Sequence, residues 1–314
     1  MTESGPMTTR ILVTGGHGFL GRWTVDTLRR TGAEVTAPSH RSANLLEQAE
    51  VRGLFMGPPP NIVVHLAAAC GGIGANVLNP GRFLYENALM GLNLLEASRQ
   101  AGVERFVLIS TTCAYPQDAP IPLHEASFGN GPPTAATGPY GLAKRLLHEA
   151  CATYERQYGF DSVVLVPANL YGPGDHYEDG TAHVLAALVR RYDDAVRQGL
   201  DSVTHWGTGR PTREFMHVRD CALAITLACD LGRRPGVSPM NIGTGRETSI
   251  AELAALVAVE AGYRGETLWD ESKPDGQPRR CLDVQAARER LGFEAATDLV
   301  TGINETMAAY RSRA

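Results

Sequence analysis

No Cys-x-x-Cys pair occurs in the 314 residues, and the six cysteines (70, 113, 151, 221, 229 and 281) are scattered along the chain. That spacing offers neither a zinc cluster nor a disulfide framework, and it points to the reduced thiols of a cytoplasmic protein. Long apolar runs are missing too. No stretch approaches the ~18 residues of a membrane span, and the leading "MTESGPMTTR" lacks the apolar core of a signal peptide. Positive charge is not in excess. With 29 Lys and Arg against 34 Asp and Glu the formal net charge is -5, and the absence of a long basic run argues against a nucleic-acid surface. An apolar content of 43% and a charged content of 20% belong to an ordinary globular protein, with length for one large domain or two modest ones.

What is present is a rhythm. Short β-branched runs, "RILVTGG", "EVTAP", "NIVVHLAAA" (61–69), "ERFVLIS" (104–110) and "DSVVLVP" (161–167), read as strands. Helical candidates lie between them, from Phe19 to Arg30 and at about 45–55, 80–101 and 139–158. The helix near 80 opens on "NP", a cap residue followed by proline at the first helical position. Strands apolar on both faces and alternating with helices predict a doubly wound α/β fold with a parallel sheet covered on both sides. After about residue 170 the pattern breaks into Gly/Pro-rich loops, short strands and three or four helices. Residues 1–170 are therefore expected to form the cofactor-binding domain, with a strand and helix returning from the second half. Residues 171–314 are expected to be mainly a smaller α/β substrate lobe over the sheet's carboxyl edge.

"TGGHGFLGR" joins the first strand to the first helix and spaces Gly15, Gly18 and Gly21 as G-x-x-G-x-x-G. Such a turn needs glycine for tightness, for backbone approach to a pyrophosphate and for close helix packing, and the helix N-terminus adds N–H groups for phosphate. NAD sites usually carry an acid after the second strand to hold the ribose diol. Here no Asp or Glu occurs between Val35 and Leu46, while His40 and Arg41 stand ready for a 2′-phosphate, so NADP(H) is the expected cofactor.

"GPYGLAKRLLHEA" sets Tyr140 and Lys144 four residues apart, on one helical face. "LISTTCAYP" (108–116) ends an apolar run in hydroxyl residues and then Cys113, which is either packing or a proton carrier. Glycine loop, Ser/Thr strand end and Tyr-x-x-x-Lys together resemble the extended short-chain dehydrogenase/reductase superfamily, which implies a Rossmann-like sheet. Further phrases in order, "HLAAACGGIGAN", "TTCAYP", "PYGLAK", "PANLYGPGDHY", "AHVLAALVRR", "WGTGRPTREFMHVRD", "NIGTGRETSI" and "SKPDGQPRR", resemble the GDP-L-fucose synthase family across nearly the whole chain.

That resemblance implies an NADPH-dependent enzyme that inverts C3 and C5 of GDP-4-keto-6-deoxy-D-mannose beside its ketone and then reduces C4. Protons alpha to a ketone are removable when the enolate is stabilised and a base lies close. The matching proton carriers are Cys113 and His183, and Thr111 and Tyr140 match the pair at the C4 oxygen, with Lys144 favouring phenolate. A free cysteine titrates near ~8.5 and a histidine near neutrality, which suits both to the task. Implied cofactor contacts come from Gly15, His17, Gly18, Phe19, Leu20 and Gly21, from His40 and Arg41, and from Leu66, Ala67 and Ala68. Ile109, Ser110, Tyr140, Lys144, Pro167, Asn169, Leu170 and His183 complete that set. Asn169, Arg191, Trp206, Arg213, Asp275 and Arg280 are implied to hold the GDP-sugar; the bland alternatives are core for Trp206, a turn for Asp275 and a solvated helix end for Arg191. The helices at 80–101 and 139–158 imply a homodimer.

Three departures from the family pattern leave room for another 4-keto sugar, such as a heptose or a secondary-metabolism deoxysugar. Thr111 replaces the usual serine, Arg280 a frequent lysine, and His17 an occasional arginine. Other classes fit less well. A 4,6-dehydratase would carry an Asp-Glu pair where Thr112-Cys113 stands, and a UDP-sugar 4-epimerase would need no cysteine there but would carry the acid that is missing after the second strand. A GDP-mannose 3,5-epimerase shares the cysteine segment, and a non-catalytic NADP sensor would be expected to lose Tyr140 or Lys144.

Overall fold

The chain's structure, a computed structural model, describes residues 8–178, 182–273 and 275–313. Its first half runs β1 (Arg10–Thr14), α1 (Phe19–Arg30), β2 (Glu34–Thr36), α2 (Gln48–Gly53), β3 (Ile62–His65), α3 (Ile73–Leu78), α4 (Pro80–Gln100), β4 (Arg105–Ile109), α5 (Gly138–Tyr158) and β5 (Ser162–Pro167). There follow β6 (Asn169–Tyr171), α6 (Val184–Gln198), β7 (Ser202–Trp206), β8 (Thr212–Arg213), β9 (Phe215–His217), α7 (Val218–Ala228), β10 (Met240–Ile242), β11 (Thr248–Ser249), α8 (Ile250–Ala261), β12 (Glu266–Asp270), α9 (Gln285–Leu291) and α10 (Leu299–Arg311).

Six strands form one parallel sheet in the order β10-β5-β4-β3-β1-β2. The order reverses at β1, and in such sheets the ligand crevice opens at the carboxyl ends beside that reversal. Alternation along the strands divides the core. Ile11, Val13, Ile62, Val64, Val107 and Ile109 meet α1, α7 and α9, whereas Leu12, Val63, Phe106 and Leu108 meet α2, α4 and α5. Both faces are therefore covered. A separate cluster of Leu185, Val189, Tyr192, Leu253, Val257, Ile303 and Met307 builds the smaller lobe from α6, α8 and α10.

The second half feeds the first. β10 pairs with β5, and α7 packs on the α1 face of the sheet. Arg105, 0% exposed, fastens this return: its guanidinium binds Asp161 at 2.7 Å and donates to the carbonyls of Ala228, Asp230 and Arg233.

Local differences from expectation have local causes. α2 is shorter than 45–55 because Asn44 turns the chain before it, accepting from Leu46 N while Glu50 takes Asn44 N. Asn79 stands before Pro80 as expected, but its side-chain amide donates back to Ala75 O instead of capping α4. Five helices follow residue 170 among the described residues, not three or four. The seven-residue α9 is too short to show a period. Among the described residues no helix is long and apolar enough to cross a membrane.

Candidate active site

The loop after β1 has the shape that the glycine spacing requires. Gly15 adopts φ 72°, and a Cβ on it would lie 2.6 Å from the Ala67 nitrogen. A Cβ on Gly21 would lie 2.0 Å from Gly15 O, so α1 can pack against the loop only with glycine there. Gly18 is the N-cap of α1 and brings no capping side chain. The first N–H groups of the helix, from Phe19, Leu20 and Gly21, thus form an anion site of the kind that holds a pyrophosphate. Leu66, Ala67 and Ala68 form the opposite wall, steadied where Asn87 binds both Ala69 N and Ala69 O at 3.0 and 2.8 Å. His17 is exposed with Nε2 3.0 Å from Ala37 O, just past β2, and His40 and Arg41 are exposed in the next loop. A dinucleotide with a 2′-phosphate fits this cradle of backbone N–H groups with His17, His40 and Arg41 beside it.

Most of the expected catalytic residues meet at the end of β4. Thr111 caps a short 3₁₀ turn, Thr112–Ala114, by accepting from Cys113 N at 3.2 Å. One lone pair of its hydroxyl is used there, while its O–H proton is left to donate. α5 lies directly on this turn: a Cβ on Gly141 would come 2.2 Å from Cys113 O. That contact fixes the spacing between the cysteine turn and the helix carrying Tyr140 and Lys144. Gly141→Ala is expected to force the two apart, at an overpacking cost of about 1–3 kcal/mol. The melting temperature should fall by several degrees with a parallel loss of turnover; an unchanged melt would show that the helix yields freely.

Lys144, 2% exposed, donates to Ile109 O at 2.8 Å. Burial lowers its pKa to about 8, with Cys70 opposing that shift. The Tyr140 hydroxyl is raised well above the usual tyrosine range, first by burial and then by Cys70 and Cys113. A tyrosine so placed holds its proton at neutral pH and suits an acid. Arg280 donates to Thr112 O at 2.9 Å; burial lowers its pKa and Cys113 opposes that. Cys113 therefore has Tyr140, Cys70 and Arg280 as charge neighbours.

His183 is not among them. It is exposed at the N-cap of α6, and its charge acts on the buried Asp175 carboxyl, which burial raises and His176 N opposes. Four of the five expected catalytic residues thus gather around one turn, and the fifth stands on the other lobe.

The two adjacent arginines lie in the middle of α6, not at a helix end, and separate as their spacing requires. Arg190 turns to Tyr177 O and Asp194, while Arg191 donates to His205 Nδ1 at 2.9 Å. Arg213 is lowered by burial and by Arg280, with Asp275 opposing. Both Arg213 and Arg280 spend hydrogen bonds on main-chain carbonyls (Thr212, Gln277 and Thr112), which leaves their charge available to an anion such as a diphosphate. Trp206 is no core residue: it is 75% exposed, with the Lys273 ammonium 6.0 Å from its ring centre. Asp275 makes a long-range contact instead of a local turn, its carboxylate accepting from Thr208 N and Thr208 Oγ1. Asn169 is exposed, but its amide already donates to Glu214 O at 2.9 Å.

Sequence reasoning passed over two residues. Cys70, inside the phrase "HLAAACGGIGAN", is open to solvent yet crowded by protein, which raises its thiol pKa. Glu214, beside Arg213, is 1% exposed and accepts from Thr244 N, Gly245 N and Leu282 N. It binds together the segments bearing Asn169, Arg213 and Arg280. An acid within "RPTREFMHV" carries no periodic signal for such a role.

Residues 11–243 match the model of the NAD dependent epimerase/dehydratase family. The chain is 36% identical over 303 residues to a probable GDP-L-fucose synthase 1 of Oryza sativa, covering 96% of this chain and 92% of that one. It is 31% identical over 299 residues to a GDP-L-colitose synthase of Yersinia pseudotuberculosis, covering 95% and 96%. Among solved structures, a GDP-mannoheptose C4 reductase of Campylobacter jejuni with NADP bound superposes with a TM-score of 0.86 at 28% identity, over 98% and 100% of the two chains. With the glycine cradle, the Tyr140–Lys144 helix and the cysteine turn in place, the chain belongs to the GDP-L-fucose synthase family, enzymes within the NAD dependent epimerase/dehydratase family.

Proposed function

We propose that the chain is an NADPH-dependent epimerase/reductase that converts GDP-4-keto-6-deoxy-D-mannose to GDP-L-fucose. The observation that carries this reading is the Gly141 contact, which clamps Cys113 against the helix of Tyr140 and Lys144. A reductase alone has no use for a thiol there.

Gly15, Gly18 and the first turn of α1 would hold the pyrophosphate, and His17, His40 and Arg41 the 2′-phosphate. Bound NADPH supplies the hydride for C4. Arg191, Arg213 and Arg280 hold the diphosphate of the substrate, and Trp206 and Asp275 border the nucleotide. Thr111 and Tyr140 donate to the C4 oxygen, so that negative charge on it is stabilised while a proton leaves C3 or C5. Cys113 and His183 act as the proton carriers, one from each lobe. Tyr140 then gives its proton to the C4 oxygen as reduction proceeds, and Lys144 stabilises the phenolate left behind.

The chain is read as a homodimer through α4 and α5. Leu84, Tyr85, Leu142 and Leu146 are between 40% and 63% exposed on those two helices, an apolar face suited to a second copy.

The sugar is decided by NADPH oxidation with purified protein. GDP-4-keto-6-deoxy-D-mannose is expected to be consumed faster than the 4-keto precursor of GDP-L-colitose or a GDP-4-keto-heptose. A preference for either of those would reassign the substrate, and no oxidation with any of them would end the reductase reading.

A further inference from the structure

Behind Lys144 the sheet carries polar side chains where their strand neighbours are aliphatic or aromatic. Leu12, Val63, Phe106 and Leu108 point from β1, β3 and β4 into the core under α4 and α5. Alternation puts Thr14, His65 and Ser110 on that same face, two residues nearer the carboxyl edge of each strand. Thr14 and His65 are register partners, and Ser110 lies two residues beyond Leu108, which pairs with His65. The three are 1%, 1% and 3% exposed.

Thr14 Oγ1 lies 2.9 Å from His65 Nδ1. His65 Nε2 and Ser110 Oγ, both buried, have no hydrogen-bond partner among the described groups. Lys144 reaches the same face from α5, donating to the carbonyl of Ile109, next to Ser110, and its charge acts on His65. Unpartnered buried polar atoms are costly, and such atoms commonly hold ordered water.

We propose that His65, Ser110 and Lys144 enclose an ordered-water site that returns protons to Lys144, which makes His65 and Ser110 positioning residues for the Tyr140–Lys144 pair. The inference rests on the reading of Tyr140 as proton donor. An ammonium has three N–H groups; one goes to Ile109 O, and another is free for the water. The water accepts from Lys144 and from the Ser110 hydroxyl and donates one O–H to His65 Nε2, which requires the proton of His65 on Nδ1 with Thr14 Oγ1 accepting and leaves the water's second O–H free. Burial, then Lys144, lowers the His65 pKa to about 3, so the ring stays neutral and accepting at working pH. The other titratable groups facing Lys144 are Tyr140 and Cys70, with Cys113 beyond Tyr140.

The protons balance. As the Tyr140 O–H bond breaks and the substrate O–H bond forms, Lys144 passes an N–H proton to the phenolate. The water turns its free O–H to Lys144 Nζ and gives up that proton, and the hydroxide left behind takes a proton from bulk solvent. Nothing is oxidised or reduced in this relay.

Two variants test it. Ser110→Ala removes only the oxygen, and His65→Asn keeps a polar atom for Thr14 while deleting Nε2. Ser110→Ala is expected to lower the melting temperature; an unchanged or raised value would mean a dry, unpartnered oxygen and would overturn the water site. In both variants kcat for reduction should fall about tenfold with a displaced basic limb of the pH profile, while KM for NADPH and sugar stays within about twofold. A profile superimposable on wild type overturns the relay. An inactive wild type would instead overturn the reductase reading, and the melting comparison would still decide the water site.

Discussion

Tyr140→Phe is expected to reduce NADPH-dependent turnover by roughly a hundred- to ten-thousandfold, the span of a positioned general acid. The phenol is held in its protonated form by burial and by the neighbouring thiols of Cys70 and Cys113, so at neutral pH it is an acid waiting for a base. In the proposed reaction the developing alkoxide at C4 is that base. Cofactor binding should be intact, because the cradle of Gly15, Gly18 and Gly21 does not depend on the hydroxyl. Steady-state kinetics would show kcat falling with little change in KM for NADPH; a variant that keeps more than about a tenth of wild-type kcat would remove Tyr140 from the acid role.

Lys144 gives this prediction a pH dependence with a definite sign. Its pKa is lowered to about 8, so the ammonium that stabilises the phenolate is present below that pH and lost above it. Reduction should therefore decline as pH rises through about 8. The stability effect runs the other way. Between about 8 and the ordinary lysine value of 10.5 the unfolded chain binds the extra proton, so the folded state gains stability as pH rises through that window. Lys144→Met should accordingly lose activity without losing thermal stability.

Cys113→Ser is the second large effect, and it separates the two halves of the reaction. Hydrogen exchange at C3 and C5 should fall by roughly a hundredfold or more, since a serine hydroxyl is a far weaker proton carrier than a thiol. Reduction of C4 should survive in part, because Thr111, Tyr140 and Lys144 remain. The 3₁₀ turn should also survive, being held by Thr111 Oγ1 on the backbone of residue 113 rather than by its sulfur. Deuterium uptake followed by NMR would test this, and unchanged exchange would return Cys113 to a packing role.

Much of the molecule was legible in its sequence, and for identifiable reasons. The sheet strands were readable because burial on both faces demands continuous apolar runs such as "IVV" and "RFVLI". The glycine loop was readable because no other residue tolerates a Cβ position 2.0 Å from a carbonyl oxygen, as at Gly21. Tyr140 and Lys144 announced a shared face by spacing alone. Hidden features depend on contacts between distant segments. Glu214 gathers N–H groups from residues 244, 245 and 282, and no local pattern marks an acid for that. Gly141 carries no local signal for its role, because the turn it touches comes from the segment around Cys113. His65 lies inside the apolar run "NIVVHLAAA", and its unpartnered nitrogen is visible only with β1, β4 and α5 around it. Cys70 stood in full view, but its closeness to Cys113 comes from the fold.

The central claim is that one site both inverts and reduces a GDP-4-keto-6-deoxyhexose. Its most direct test is NMR of the product formed from GDP-4-keto-6-deoxy-D-mannose and NADPH in deuterated water. The account predicts GDP-L-fucose with deuterium at C3 and C5 and none at C4, which takes its hydrogen from NADPH. A product reduced at C4 with unlabelled, uninverted C3 and C5 would contradict it.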